Sequence, residues 1–170
     1  LYSSLLYTYF YSFFSWCQLM RHILAILFIL LVCISCDNVN YRSSIPNTPV
    51  NYTVYITREH PNFVVDNGFQ TMRITKRTFL EDYIGYAGLL IWVGMDNAYH
   101  AVDLCCPNCV KRDKPLIVDG LYAKCEVCGE EYDISYGYAI PTKGITKEPL
   151  KRYNTSYRNT ATGAQLYIFN

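Results

Sequence analysis

The stretch Cys105-Cys106-Pro107-Asn108-Cys109 is followed, after residues 110–124, by Cys125-Glu126-Val127-Cys128-Gly129. Two C-x-x-C pairs at this separation have the spacing of a four-cysteine metal site. Cysteines three apart turn their sulfurs to one point when the backbone between them makes a tight turn. Pro107 fixes φ in the first turn, and Gly129 follows the second pair, where a positive φ is often needed. A turn of this kind aims backbone N–H groups at the sulfurs and favours the thiolate a metal requires. Four thiolates in a tetrahedron suit zinc or iron. The same residues also allow two disulfides or four buried thiols. The candidate ligands are Cys106, Cys109, Cys125 and Cys128. Cys105 is left over, as a small buried residue, an alternative to Cys106, or a disulfide partner.

The segments around these pairs read as β-structure. Gly88-Leu89-Leu90-Ile91-Trp92-Val93-Gly94 is a nearly continuous apolar run, as expected of a central strand. Met95-Asp96-Asn97 turns the chain, and Ala98–Leu104 returns as the partner strand and delivers it to Cys106. The first cysteine pair is thus expected at the end of a buried hairpin. Leu116-Ile117-Val118, a turn at Asp119-Gly120, and Leu121–Lys124 form a second hairpin ending on Cys125. Upstream, Val50, Tyr52, Val54 and Ile56 alternate on one strand face, and Thr71–Thr75 alternates again. Arg58–Asn62 and Asp66-Asn67-Gly68 are turns. Phe79–Tyr86 fits either a short helix or an irregular turn. Glu131–Ile134 is a short strand, residues 137–149 an irregular loop, and Leu150–Tyr157 with Gln165–Phe169 a terminal hairpin. The acids Glu130, Glu131 and Asp133 are expected in solvent, as is the charged tip Lys111–Pro115.

Composition bounds the rest. With 170 residues the chain is long enough for one domain with a real core. Its 17 tyrosines and 16% aromatic content favour strands over helices. A net charge of +1 carries no electrostatic footprint for nucleic acid. No G-x-S-x-G, Walker A, H-E-x-x-H or dinucleotide glycine pattern is present, so catalysis by this chain alone is not expected.

The chain begins with Leu1, and residues 1–19 are aromatic and carry no charge. Met20-Arg21-His22 followed by apolar Ile23–Val32 and Cys33-Ile34-Ser35-Cys36 has the design of a signal peptide. Its end is similar to a bacterial lipobox. Residues 1–19 are accordingly expected to be an over-extended start, residues 20–36 the signal segment, and Cys36 the lipidated first residue. An N-terminal transmembrane anchor is the alternative. Either arrangement ties the domain to a membrane of the cell envelope. Residues 37–44 form a polar tether, and residues 45–170 the domain.

The order of parts resembles a Rieske-type ferredoxin domain. The likeness rests on the hairpin leading into Cys106-Pro107 and on Cys125-Glu126-Val127-Cys128-Gly129, followed by Tyr132-Asp133, Gly137 and Pro149-Leu150-Lys151-Arg152-Tyr153. The Rieske pattern has C-x-H and C-x-x-H loops. Here Asn108 and Cys128 occupy the histidine positions, so the chain is most similar to the four-cysteine variant of Bacteroidetes-type lipoproteins. His60 and His100 lie elsewhere and read as surface or strand histidines. The resemblance implies an all-β, Rieske-like antiparallel sandwich with two cysteine-bearing loops, in the envelope of a Gram-negative bacterium. It leaves three states for the cysteines: a structural metal such as zinc, a [2Fe–2S] cluster in an electron carrier with a redox partner protein, or disulfides. A thiol–disulfide oxidoreductase is the weakest function, because neither C-x-x-C opens a helix in a βαβ setting.

Overall fold

A computed structural model describes residues 20–22, 24 and 43–170 of the chain. The expected signal segment, lipidation site Cys36 and most of the 37–44 tether lie outside the described residues, as does the over-extended start at residues 1–19. Met20–His22 and Leu24 are helical. Among the described residues no helix is long and apolar enough to cross a membrane.

The described domain is all-β. In chain order its strands are β1 (Val50–Tyr55), β2 (Gln70–Ile74), β3 (Tyr83–Ile84), β4 (Leu89–Val93) and β5 (Tyr99–Asp103), then β6 (Ile117–Asp119), β7 (Tyr122–Lys124), β8 (Glu131–Asp133) and β9 (Ile140–Lys143), and last β10 (Arg152–Thr160) and β11 (Gly163–Phe169). They form a seven-stranded sheet in the order β2-β4-β5-β10-β11-β1-β3 and a four-stranded sheet in the order β6-β7-β8-β9. All neighbours are antiparallel. The small sheet is an insertion between β5 and β10, which pair with each other through Arg152↔Val102 and Tyr153↔Ala101.

The unbroken apolar run of β4 has a simple cause. Alternate side chains of a strand point to opposite faces, and β4 has a core on each. Leu89, Ile91 and Val93 join Val50, Val54, Tyr153, Leu166 and Ile168 on one side. Leu90 and Trp92 join Val102, Leu104, Leu116, Tyr132, Ile134 and Leu150 on the other. Every residue of β4 is fully buried. A strand with only one buried face would read as an alternation. The second core also takes in Cys105, Cys106 and Cys125, so the hydrophobic effect that joins the two halves also holds the cysteine loops.

Three expectations need correction. Ile56 is buried but has left the strand. It opens α1 (Ile56–Glu59), a single turn of helix closed by the His60 N–H on the Ile56 carbonyl at 3.0 Å. Residues 137–149 are not irregular throughout, because β9 pairs there with β8, with a bulge at Glu131/Tyr132. Pro141 suggested a loop, yet β9 is an edge strand, where a proline need not donate to a neighbour. Third, Glu130 is not solvated but wholly buried. The ambiguous segment after residue 78 is a turn held by Asp82, whose Oδ2 accepts from the Thr78 and Phe79 amides at 3.0 and 2.8 Å, and β3 follows it.

Candidate metal centre

The first cysteine loop follows directly from β5. Asp103, the last residue of that strand, is fully buried and accepts four hydrogen bonds. Its Oδ2 takes the Tyr86 N–H at 2.6 Å and the Tyr153 hydroxyl at 2.7 Å, and its Oδ1 takes the Ala87 and Cys105 amides at 3.0 and 2.8 Å. A buried carboxylate with its lone pairs filled is tolerated in a core, and it ties the loop entry to β10 and the turn before β4. Gly85 makes room for it: at φ +79° a Cβ there would lie 2.6 Å from Asp103 Oδ2 and 2.7 Å from the Tyr153 hydroxyl. The Leu116 N–H then meets the Leu104 carbonyl at 2.8 Å and anchors the far side of the loop.

Both loops close in the same way. The Val110 N–H donates to the Cys106 carbonyl at 2.8 Å, and the Gly129 N–H to the Cys125 carbonyl at 2.9 Å. Each loop ends on a residue with positive φ, +51° at Val110 and +74° at Gly129. The second loop is the tip between β7 and β8, where the Cys125 N–H meets the Glu130 carbonyl at 2.8 Å. Glu130 folds inward, and its Oε1 accepts the Ile145 and Thr146 amides at 2.7 and 3.1 Å. Its Oε2 is buried without a partner.

The structure brings all four predicted ligands together. The sulfurs of Cys106, Cys109, Cys125 and Cys128 lie within 4.8 Å of one another. Two close approaches cross between the loops, Cys106 to Cys128 at 3.6 Å and Cys109 to Cys125 at 3.7 Å. A disulfide has sulfurs about 2.05 Å apart, so none of these pairs is bonded, and all five described cysteines are free thiols. Cys105 stays out of the cluster. It is fully buried, its sulfur approaches the Cys106 carbonyl at 3.6 Å, and burial, with Asp103 nearby, pushes its thiol up to about 12. Of its three expected roles, the structure fits the small buried residue.

The surroundings polarise the four thiols unequally. Burial raises Cys106, although the Tyr132 hydroxyl and the Cys109 and Asn108 amides pull the other way. The Tyr132 hydroxyl sits 3.5 Å from the Cys106 sulfur, and burial raises that phenol in turn. Cys109 is raised by burial and by Cys128 and Cys125 beside it. Burial also pushes Cys128 up, but hydrogen bonds from Cys109, the Glu130 amide and the Asn108 side chain outweigh it and bring the thiol down to about 7. Four thiols this close, one of them lowered, are compatible with a metal site, since a cation binds the thiolate form.

Neither His60 nor His100 belongs to this cluster. His100 is on β5, with Nε2 3.0 Å from Asp96 Oδ1 and its ring 5.2 Å from that of Trp92. Sequence reasoning missed Asp103, Glu130 and the Tyr132 hydroxyl. For Asp103 the signal was present: a lone acid in the apolar run Ala101–Cys106.

Comparison of the chain with protein-family models, with curated proteins and with solved structures gave no match. The functional case therefore rests on the residues themselves.

Proposed function

We propose that this chain is an exported, lipid-anchored module of Rieske-like fold in which Cys106, Cys109, Cys125 and Cys128 hold one zinc ion as a structural clamp. The observation that carries the proposal is the compactness of the four sulfurs. A tetrahedron with zinc–sulfur bonds of about 2.3 Å has sulfur–sulfur edges of about 3.8 Å. The two cross-loop pairs, at 3.6 and 3.7 Å, are near that length, and no separation exceeds 4.8 Å. A [2Fe–2S] cluster would place the cysteines as two pairs on separate irons. The iron–iron axis would push those pairs apart, to more than about 5 Å. The loops as folded favour a single ion. Zinc suits four thiolates and is redox-silent, so its bonds would serve folding by joining the loop after β5 to the β7–β8 tip.

The Rieske-like assignment is supported by the motif order from Cys106 to Tyr153 and by a small sheet inserted into a larger one, with one cysteine loop at the crossing from β5 and the other at the β7–β8 tip. Export and lipidation are supported by the signal-like run from Met20 to Cys36. The decisive experiment is metal analysis with a visible absorption spectrum on anaerobically purified protein. About one zinc per chain and no visible bands is the expected result. Iron with acid-labile sulfide and visible absorption would instead make the chain an electron carrier with a redox partner. Absence of metal, with thiols that react only after reduction, would mean that disulfides replace it. Mass spectrometry of the membrane-extracted protein tests the other half, with a diacylglyceryl group on Cys36 expected.

A further inference from the structure

Away from the cysteine cluster, a cleft of about 240 Å³ opens between the segment after β2, the turn before β4 and the loop that follows the first cysteine pair. Its lining includes Thr75, Lys76, Arg77, Tyr86, Gly88 and Arg112, and no acidic residue. Three cations converge there from two distant parts of the chain. Among the described residues none of the three has a carboxylate partner.

Two buried acids near the cleft are engaged elsewhere. Asp82 caps the Thr78 and Phe79 amides. Asp103 lies buried behind the cleft floor, where it holds the Tyr86 and Ala87 amides and the Tyr153 hydroxyl. The floor is therefore rigid, and its amides at Tyr86 and Ala87 are already used. Donors left for a ligand include the cationic side chains and the Thr75 hydroxyl. Two of the cations also rest on aromatic rings. Arg77 lies over Tyr83 with its guanidinium carbon 5.4 Å from the ring centre, and Arg112 over Tyr86 at 5.9 Å. Such stacking holds a guanidinium in place while leaving its edge N–H groups free.

We propose that this cleft is an oxyanion site that takes a phosphate monoester group. The volume falls below the roughly 300–1,000 Å³ typical of pockets for drug-sized ligands, and so suits a small group. Two guanidinium forks and an ammonium match the geometry and the near −2 charge of a phosphate monoester better than a single carboxylate. The group could be carried by a soluble molecule or by a lipid headgroup, and the chemistry of recognition is the same. The site is built from residues outside the cysteine cluster, so it stands whether or not that cluster holds zinc.

The test uses full-length protein in a neutral detergent. It is titrated with inorganic phosphate at constant ionic strength, with chloride as control, and followed by calorimetry and thermal shift. A second arm measures co-flotation with phosphatidylcholine vesicles, with and without phosphatidic acid. Phosphate binding beyond the chloride control is expected, weakened about tenfold in Arg112→Gln and more in Arg77→Gln/Arg112→Gln. Arg112→Lys should fall between, since it keeps the charge and loses the fork. Phosphate binding with no preference for phosphatidic acid vesicles over phosphatidylcholine alone assigns the site to a soluble monoester. Co-flotation that phosphatidic acid increases, with the increase competed by inorganic phosphate, assigns it to a headgroup. Either result, if lost in the double variant, supports the site. Binding no better than chloride together with no preference for phosphatidic acid overturns it, as does binding unchanged in the double variant. Metal content and melting temperature without phosphate confirm that the variants fold.

Discussion

The two cysteine loops share a backbone and differ in almost everything around it. Both run C-x-x-C, both close with an N–H bond back to the first cysteine, and both end at positive φ. The first loop is packed inside at its start: Cys106 is 1% exposed and Pro107 is buried, while Asn108 is exposed and Cys109 and Val110 are half-buried. In the second, Cys125 is buried but Glu126, Val127, Cys128 and Gly129 are exposed. The closing residue follows suit. The exposed loop uses glycine, which accepts positive φ freely. The buried loop uses Val110, a β-branched residue for which that conformation is strained. Val110 packs against the core between the sheets, and that contact offsets the strain. One geometry can thus be reached by local conformational freedom or by tertiary packing. The loop built by packing should be the stiffer half of the site.

The sharpest way to break this comparison is to remove one ligand from each loop. If the cluster holds the proposed metal, Cys106→Ser and Cys128→Ser should both weaken its binding, and they should lower stability unequally. Cys106→Ser leaves a hydroxyl in a buried position beside Tyr132, in addition to the lost ligand. A loss of at least about 3 kcal/mol in urea unfolding is expected for it. Cys128→Ser, at an exposed position where water can replace the sulfur, should cost about half as much. Adding a chelator should bring the wild type and both variants toward a common apo stability, with Cys106→Ser still lowest. Equal losses would mean that the loops are equivalent and that burial of the first has no energetic role.

Each loop also has a buried carboxylate, and the two are not equal. Asp103 has four donors on its two oxygens, whereas Glu130 has two donors on one oxygen and none on the other. Asp103→Ala would strand three amides and a phenol and should cost about 3 kcal/mol or more. Tyr153→Phe removes one donor only and should cost about 1 kcal/mol. Glu130→Gln keeps the acceptor that Ile145 and Thr146 need, so its effect should stay under about 1 kcal/mol. Thermal and urea unfolding of the three variants would rank them. A large loss for Glu130→Gln would show that its unpartnered oxygen is bonded in solution and that the two carboxylates brace the site alike.

The sequence made some of this legible and hid the rest for physical reasons. The pairing of β4 with β5 follows from an apolar run, a turn and a returning strand, all local signals. The cluster of four cysteines follows from spacing. Hidden were the features that depend on which surfaces meet. Glu130 looks like an ordinary surface acid, and Asp103 shows only as a lone acid in an apolar run, until the tertiary fold puts amide donors around them. β9 was masked by Pro141, because a one-dimensional pattern does not say which strand lies at a sheet edge. Ile56 continues the alternation of β1, yet its backbone turns into α1 while the side chain stays buried. A lone acid in an apolar strand and a conformation held by packing are both cases where local preference yields to context.

The closing residues provide the finest test. Gly129→Ala meets no atom within 4 Å of the new Cβ, so the whole effect lies in the backbone. At φ +74° that effect should be about 1–2 kcal/mol of lost stability. Val110→Gly makes two opposing changes. It relieves a comparable backbone strain but removes a half-buried side chain from the core, and it loosens the unfolded chain as well. The net change should lie within about 1 kcal/mol of zero. Hydrogen exchange at the Val110 and Gly129 amides then separates packing from local freedom. In the wild type, the Val110 amide should exchange more slowly, and in Val110→Gly it should approach the rate at Gly129 even if global stability is unchanged. If the Val110 amide stays protected in the glycine variant, its stiffness comes from the Leu116–Leu104 bond and the Asp103 brace, and the side chain contributes only volume.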